Sequence, residues 1–264
     1  MTWNRREFLQ AAAAGLSTGL LERASNAQAA DSTIRAVAFD GFVIFDPRPV
    51  FALAERLFPG KGAELSNVWR TRQFEYQWLC ALSRRYLDFE QATDGALVYA
   101  ANLLKLNLAP DKRAQLMQAY LELKAWPDVL PALRKMKDLG IRLALLSNAT
   151  PRILDAGIDH SGLQSLFDHV ISTDTIQTYK PDPRAYQMGI DAFKLHRNQI
   201  AFAAFGGWDA AGAKWFGYPT FWVNRTGARD ESLVAPDATG PDLHALARWL
   251  AAIVTAEAAR GAAP

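Results

Sequence analysis

Thr33–Phe39 reads TIRAVAF, a short apolar run rich in β-formers, and it stops on a carboxylate, Asp40. Four further runs share that shape. Ile141–Leu146 (IRLALL) stops on Ser147-Asn148, and His169–Ser172 (HVIS), Ile200–Phe205 (IAFAAF) and Thr220–Val223 (TFWV) follow. Between them lie helical patterns over Val129–Leu139 (with Gly140 as a stop), Arg152–His160, Pro183–Phe193 and Ala210–Phe216. Short, nearly continuous apolar strands alternating with helices predict an α/β fold: a Rossmann-like parallel sheet core with helices on both faces. Chemistry in such sheets gathers at the carboxyl ends of the strands. The polar residues that end these runs sit there.

Working outward, the stretch 47–126 breaks the alternation. It carries helical patterns over Val50–Leu57, Ala63–Arg84, Phe89–Leu104 and Pro110–Leu123, and no strand. This predicts a helical cap domain at 47–126 inserted into a core made of 33–46 and 127–264. A closing helix is predicted over Pro241–Ala259.

The first residues read as an address. Asn4-Arg5-Arg6-Glu7-Phe8-Leu9-Gln10 resembles the twin-arginine export signature, a mildly apolar run follows from Ala11 to Leu21, and Ala27-Gln28-Ala29 offers small residues for cleavage. Residues 1–29 are therefore expected to be a twin-arginine signal peptide. It would engage the export machinery and place the protein in the periplasm or outside the cell. The apolar run is too short and too rich in Ala and Gly for a stable membrane anchor.

Composition removes several classes of function. The chain has 264 residues, 50% hydrophobic and 21% charged, enough apolar mass for a full core. A formal net charge of +2, with no Lys/Arg-rich run after residue 30, argues against nucleic acid and anionic membranes as partners. The single cysteine, Cys80, excludes an intrachain disulfide and any multi-cysteine metal site. His160, His169, His196 and His244 have no ligand-like spacing, so no metal site is expected from them.

Asp40 alone says little, because Asp commonly ends a strand by starting a turn. Its companions at the other strand ends say more: Ser147-Asn148, Lys180 in Tyr179-Lys180-Pro181-Asp182, and Asp209 in Gly206-Gly207-Trp208-Asp209. In this order they resemble the four signature motifs of the haloacid dehalogenase superfamily. Nearly the whole chain after residue 30 is further similar to one subfamily, the L-2-haloacid (type II haloacid) dehalogenases. The likeness rests on Val68–Leu79 (VWRTRQFEYQWL), Arg85–Phe89 (RYLDF), Leu146-Ser147-Asn148, Tyr179–Asp182, Arg184-Ala185-Tyr186, Trp208-Asp209-Ala210 and Phe221–Arg225 (FWVNR).

The resemblance implies a hydrolase that converts short (S)-2-haloalkanoic acids to (R)-2-hydroxy acids. Asp40 would displace halide from carbon 2 and form an ester, and water would then attack the ester carbonyl. Arg70, from the cap, would hold the leaving halide or the substrate carboxylate, as a forked cation can. Ser147 and nearby backbone N–H groups would bind the carboxylate, and Asn148 would orient Asp40. Lys180 would keep Asp40 ionised, Asp209 would fix Lys180, and Tyr186 would add a supporting hydrogen bond. Gly41, Phe42, Phe74, Phe89, Tyr186 and Trp208 are expected around the substrate, the aromatic rings excluding bulk water. Phosphatases of the superfamily carry a second Asp two residues after the nucleophile, where this chain has Phe42, so neither metal nor cofactor is expected. Members of the subfamily are often homodimers, and for this chain the resemblance leaves the choice between monomer and homodimer open.

The sequence departs from the subfamily pattern in three places. After the first strand it reads Asp40-Gly41-Phe42-Val43-Ile44-Phe45-Asp46, one residue shorter than usual and without the usual Gly and Thr. Near the fourth strand, Ala204 and Gly206 replace a Ser and an Asn, the latter a residue that positions the hydrolytic water. Two alternatives stay open beside the dehalogenase: an impaired member that binds small carboxylates, and a phosphatase.

Overall fold

The apolar runs pair side by side as parallel strands of one six-stranded sheet. They are β1 (Ala36–Phe39), β2 (Arg142–Ser147), β3 (His169–Ser172), β4 (Ile200–Ala204), β5 (Thr220–Val223) and β6 (Ala238–Gly240), in the order β3-β2-β1-β4-β5-β6. The computed structural model describes residues 33–261, with side chains through 256, so the export-signal reading of residues 1–29 lies outside the described residues. No helix among the described residues is long and apolar enough to cross a membrane.

Successive strand residues point to opposite faces, and both faces are covered. Val37, Phe39, Leu143, Leu145, Ala201, Ala203 and Phe221 pack into one apolar layer. Ala36, Ala38, Ala144, Leu146, Phe202, Ala204 and Trp222 pack into the other. β1 lies between β2 and β4, with Phe39 in register with Leu145 and Ala203. The backbone N–H of Asp40 donates to the Ala203 carbonyl at 2.9 Å. Asp40 therefore leaves the middle of the sheet, at its carboxyl edge.

Two features of the sheet escape the sequence reading. β6 is three residues long and polar, and nothing in its pattern marks it as a strand. Directly after β1, α1 (Gly41–Ile44) turns the chain out of the sheet, capped by the Asp40 side chain, which accepts from the Phe42 N–H at 2.9 Å.

The inserted helices are α2 (Arg48–Leu57), α3 (Gly62–Ser83), α4 (Phe89–Leu103) and α5 (Pro110–Gln118). The fourth helical pattern stops short of Leu123, giving way to a 3-10 turn at Ala119–Glu122. α3 is tied to α4 by Trp69 Nε1 donating to the Thr93 carbonyl at 2.8 Å. The segment leaves and rejoins the core through an antiparallel bridge between Phe45 and Ala125. Asp46 N donates to the Lys124 carbonyl and Trp126 N to the Ile44 carbonyl on either side of it. The remaining helices, α6 (Val129–Asp138), α7 (Pro151–Ser161), α8 (Pro183–Phe193), α9 (Gly207–Phe216) and α10 (Leu243–Gly261), cover the sheet. α9 starts three residues earlier than its apolar pattern indicates. Asp209 thus belongs to the first helical turn, where a carboxylate is favoured by the unpaired N–H groups.

Candidate active site

At the carboxyl edge of the sheet, Asp40, Lys180 and Asp209 form one continuous charge cluster. Lys180 Nζ donates to Asp40 Oδ1 at 2.8 Å and to Asp209 Oδ2 at 2.7 Å, and Lys180 itself has no exposed surface. The second oxygen of Asp40 is held by the Phe42 N–H, and the second oxygen of Asp209 accepts from the Tyr186 hydroxyl at 2.7 Å. Burial pushes the Lys180 ammonium towards its neutral form, but the two carboxylates outweigh it and hold the pKa above its usual value. Burial pushes the Asp209 carboxyl up to about 6, against the pull of Lys180 and with the help of the Asp40 charge. The cluster thus presents Asp40 as an anchored carboxylate with a fixed counter-charge behind it.

Asp40 opens onto a cavity of about 360 Å³ between the sheet edge and the inserted helices. Its wall is mostly apolar and rich in aromatic rings: Phe42 lies near Phe89 and Phe205 at ring distances of 6.4 and 6.1 Å, and Phe74 meets Trp208 at 5.3 Å. Trp126 closes one side. Two guanidinium groups lie against its ring, Arg48 at 4.4 Å and Arg225 at 4.6 Å, and its Nε1 donates to the Phe42 carbonyl. Arg225 is fixed in turn by a forked pair with Asp128, at 2.9 and 3.0 Å. A carboxylate in such a chamber is poorly shielded by water and can act as a nucleophile towards a small apolar-bodied molecule.

A model of haloacid dehalogenase-like hydrolases matches residues 5–217 of the chain. The chain belongs to the haloacid dehalogenase-like hydrolase family. It is 44% identical to the (S)-2-haloacid dehalogenase of Pseudomonas sp. (strain YL) over 195 residues, which cover 74% of this chain and 84% of that one. The crystal structure of an L-2-haloacid dehalogenase superposes with a TM-score of 0.81 at 42% identity, covering 83% of this chain and 99% of that one. The L-2-haloacid dehalogenase from Xanthobacter autotrophicus with chloropropionic acid covalently bound gives 0.76 at 33% identity, covering 83% and 98%.

Within this haloacid dehalogenase-like fold, Asp40, Arg70, Ser147, Asn148 and Asp209 line the cavity, as do Phe42, Phe74, Phe89 and Trp208. Lys180 stands just behind Asp40. Gly41 and Tyr186, expected against the substrate, also stand behind the wall. Tyr186 is fully buried and reaches the site only through Asp209. Gly41 serves close packing instead: a Cβ there would fall 2.6 Å from Ser147 Oγ. Asn148 was expected to help orient Asp40, and the structure shows a route through Lys180. The Asn148 side-chain carbonyl accepts from Lys180 N at 2.8 Å and from the Thr173 hydroxyl at 3.2 Å, so it acts on Asp40 by placing Lys180.

The departures from the subfamily pattern have a structural counterpart. The Phe42 N–H and Lys180 occupy both Asp40 oxygens without a Thr hydroxyl. Trp208 folds its indole over Gly206, so a Cβ at Gly206 would lie 2.7 Å from the Trp208 Nε1. The sequence reading missed Phe51, Gln73, Gln77, Trp126 and Phe205, which all line the cavity. The two glutamines lie three and seven residues beyond Arg70 on the same helix, a spacing that marks them only once that face is known to meet the site.

Proposed function

We propose that this chain hydrolyses short (S)-2-haloalkanoic acids to (R)-2-hydroxy acids through an ester on Asp40. The observation that carries this reading is the anchored Asp40 carboxylate facing an aromatic chamber, in a chain with (S)-2-haloacid dehalogenases among its relatives. A carboxylate oxygen of Asp40 attacks carbon 2 from the face opposite the carbon–halogen bond. The halide leaves with the bonding electrons and the configuration inverts. Water then adds to Cγ of Asp40, and the ester C–O bond on that carbon breaks. The hydroxy acid and a proton are released and the carboxylate is restored. Carbon 2 is therefore inverted once.

Lys180 holds Asp40 as its counter-charge, and Asp209 keeps Lys180 in place. Arg70, reaching down from the cap, stabilises the departing halide, and Ser147 with neighbouring backbone N–H groups receives the substrate carboxylate. Phe42 carries no proton for a phosphate leaving group, and its ring faces Phe89 and Phe205, which favours an alkyl halide over a phosphate ester. In the first part of the chain, Arg5-Arg6 and the small residues Ala27 and Ala29 support twin-arginine export of the folded protein to the periplasm. Replacing both arginines by lysine is expected to hold the protein in the cytoplasm, as read by fractionation.

The decisive experiment measures halide release from each enantiomer of 2-chloropropionate by the wild type and by Asp40→Asn. Steady release from the (S) form alone, abolished in the variant, is the expected result. Release of one halide per chain and no more would favour the impaired reading, in which Gly206 leaves the hydrolytic water without its usual amide. No release from either enantiomer would sink the dehalogenase.

A further inference from the structure

Arg70, Gln73, Phe74 and Gln77 all face the cavity from α3. Their spacing places them on one face of the helix. The two glutamines are held differently. Gln73 donates its amide to the Thr93 hydroxyl at 2.5 Å, and that hydroxyl donates to the Phe89 carbonyl, so this amide is a strut between α3 and α4. Gln77 has no exposed surface. Its carbonyl oxygen accepts from Asn148 Nδ2 at 3.4 Å, while its amide nitrogen is buried with no hydrogen-bond partner among the described residues.

A buried amide donor without an acceptor is costly, and native structures keep such groups where something else completes them. With the carbonyl drawn towards Asn148, the nitrogen is the end left to bond a ligand. The terminal torsion of a Gln side chain is soft, so a small rotation aims its N–H groups into the cavity. The ligand group must accept a hydrogen bond, as both the carboxylate and the halide of a 2-haloacid do. Position decides between them. Gln77 stands beside Asn148, with Ser147 and Ala149 on the same part of the wall, whereas Arg70 lies about 10 Å away along the helix axis, close to Phe51.

We infer that Gln77 is a substrate-binding residue whose amide N–H groups bond the carboxylate of the bound acid, leaving Arg70 to the halide. The inference deepens the dehalogenase reading and rests on it for the nature of the acid. It assigns recognition of the two ends of the substrate to two residues on a single helix.

The test uses propionate, which has the carboxylate but no leaving group, and bromide, which has only the halide character. Binding of each to wild type, Gln77→Leu and Gln77→Glu is measured by calorimetry, with KM and kcat for (S)-2-chloropropionate alongside. In Gln77→Leu, propionate affinity falls by about tenfold or more and KM rises by a similar factor, as for loss of one hydrogen bond to a charged group. Bromide affinity and kcat stay within about twofold. Gln77→Glu keeps an oxygen for Asn148 and puts a carboxylate where the amide nitrogen stood, so it binds propionate still more weakly. That result separates substrate contact from a structural role, because a mere strut for Asn148 would tolerate Glu better than Leu. Propionate binding unchanged in both variants overturns the inference, as does a loss confined to bromide or a wild type that binds no propionate. A wild type that binds propionate yet releases no halide overturns the dehalogenase reading while leaving Gln77 to be judged on binding.

Discussion

Lys180 and Asp209 form an ion pair closed to solvent, with Nζ and Oδ2 2.7 Å apart and side-chain exposures of 0% and 1%. Lys180 also bonds Asp40, so one ammonium is shared between two carboxylates, and its removal leaves both without a counter-charge. Lys180→Met is expected to lower unfolding stability by about 3–5 kcal/mol. Halide release should fall by at least about a hundredfold. Denaturant melts and a halide electrode check both numbers. A variant as stable and as active as the wild type would contradict the shared-charge arrangement.

The raised pKa of Asp209 gives the activity an acid limit. The ionised carboxylate is the form that pairs with Lys180, so the pair is intact above about 6 and is lost as pH falls through that value. Halide release under kcat/KM conditions should therefore decline on the acid side with a midpoint close to that pKa. A profile that stays flat from about pH 8 to about pH 5 would remove Asp209 from the account.

Tyr186 tunes the same midpoint. Burial raises the pKa of its phenol well above 10, so the hydroxyl stays protonated and donates to Asp209 Oδ1. That bond favours the ionised carboxylate. Tyr186→Phe should therefore move the acid midpoint to higher pH and cost about 1 kcal/mol of stability. An acid limb at the wild-type position would show that the hydroxyl only packs.

Arg70 is exposed on the helix, and its guanidinium lies 5.7 Å from the Phe51 ring. The fold has little stake in it. Arg70→Ala should leave stability within about 0.5 kcal/mol while lowering halide release by about a hundredfold or more. Full activity in this variant would return the halide to another group.

Gly41→Ala tests the packing behind the nucleophile. The added Cβ meets Ser147 Oγ at 2.6 Å, and both residues are buried, so Ser147 or the start of α1 must shift. A stability loss of about 1–3 kcal/mol is expected, together with weaker substrate binding. Thermal melts and KM for (S)-2-chloropropionate read the two effects.

β1, β2, β4 and β5 were legible because they are buried on both faces and read as unbroken apolar runs. β6 was not, since Ala238–Gly240 earns its place only by pairing with β5. α1 was hidden for another reason: Phe42-Val43-Ile44 has the composition of a strand, and the turn is enforced by the Asp40 side chain capping it. In the site, Asp40, Lys180 and Asp209 announced themselves as charges at strand ends. Gln73 and Gln77 did not, because a polar residue on a helix face reads as solvated until the surface opposite is known. For Asn148 the sequence named the target but not the route, as its effect on Asp40 passes through the backbone of Lys180.

Phe45 and Ala125 bring the outgoing and returning chain to neighbouring positions of one short ladder. Closure is therefore settled at that doorway, whatever length of chain lies beyond it, and added length raises the entropic cost only slowly. Helices between the two residues can be lengthened, traded or replaced as a block while β1 and β2 keep their register. Asp40, Lys180 and Asp209 stay with the sheet through any such exchange, whereas Arg70 and Gln77 travel with the graft. Chains of this architecture can thus acquire a new choice of acid and of leaving group by inheritance of a single contiguous segment, with the nucleophile and its charge partners left untouched.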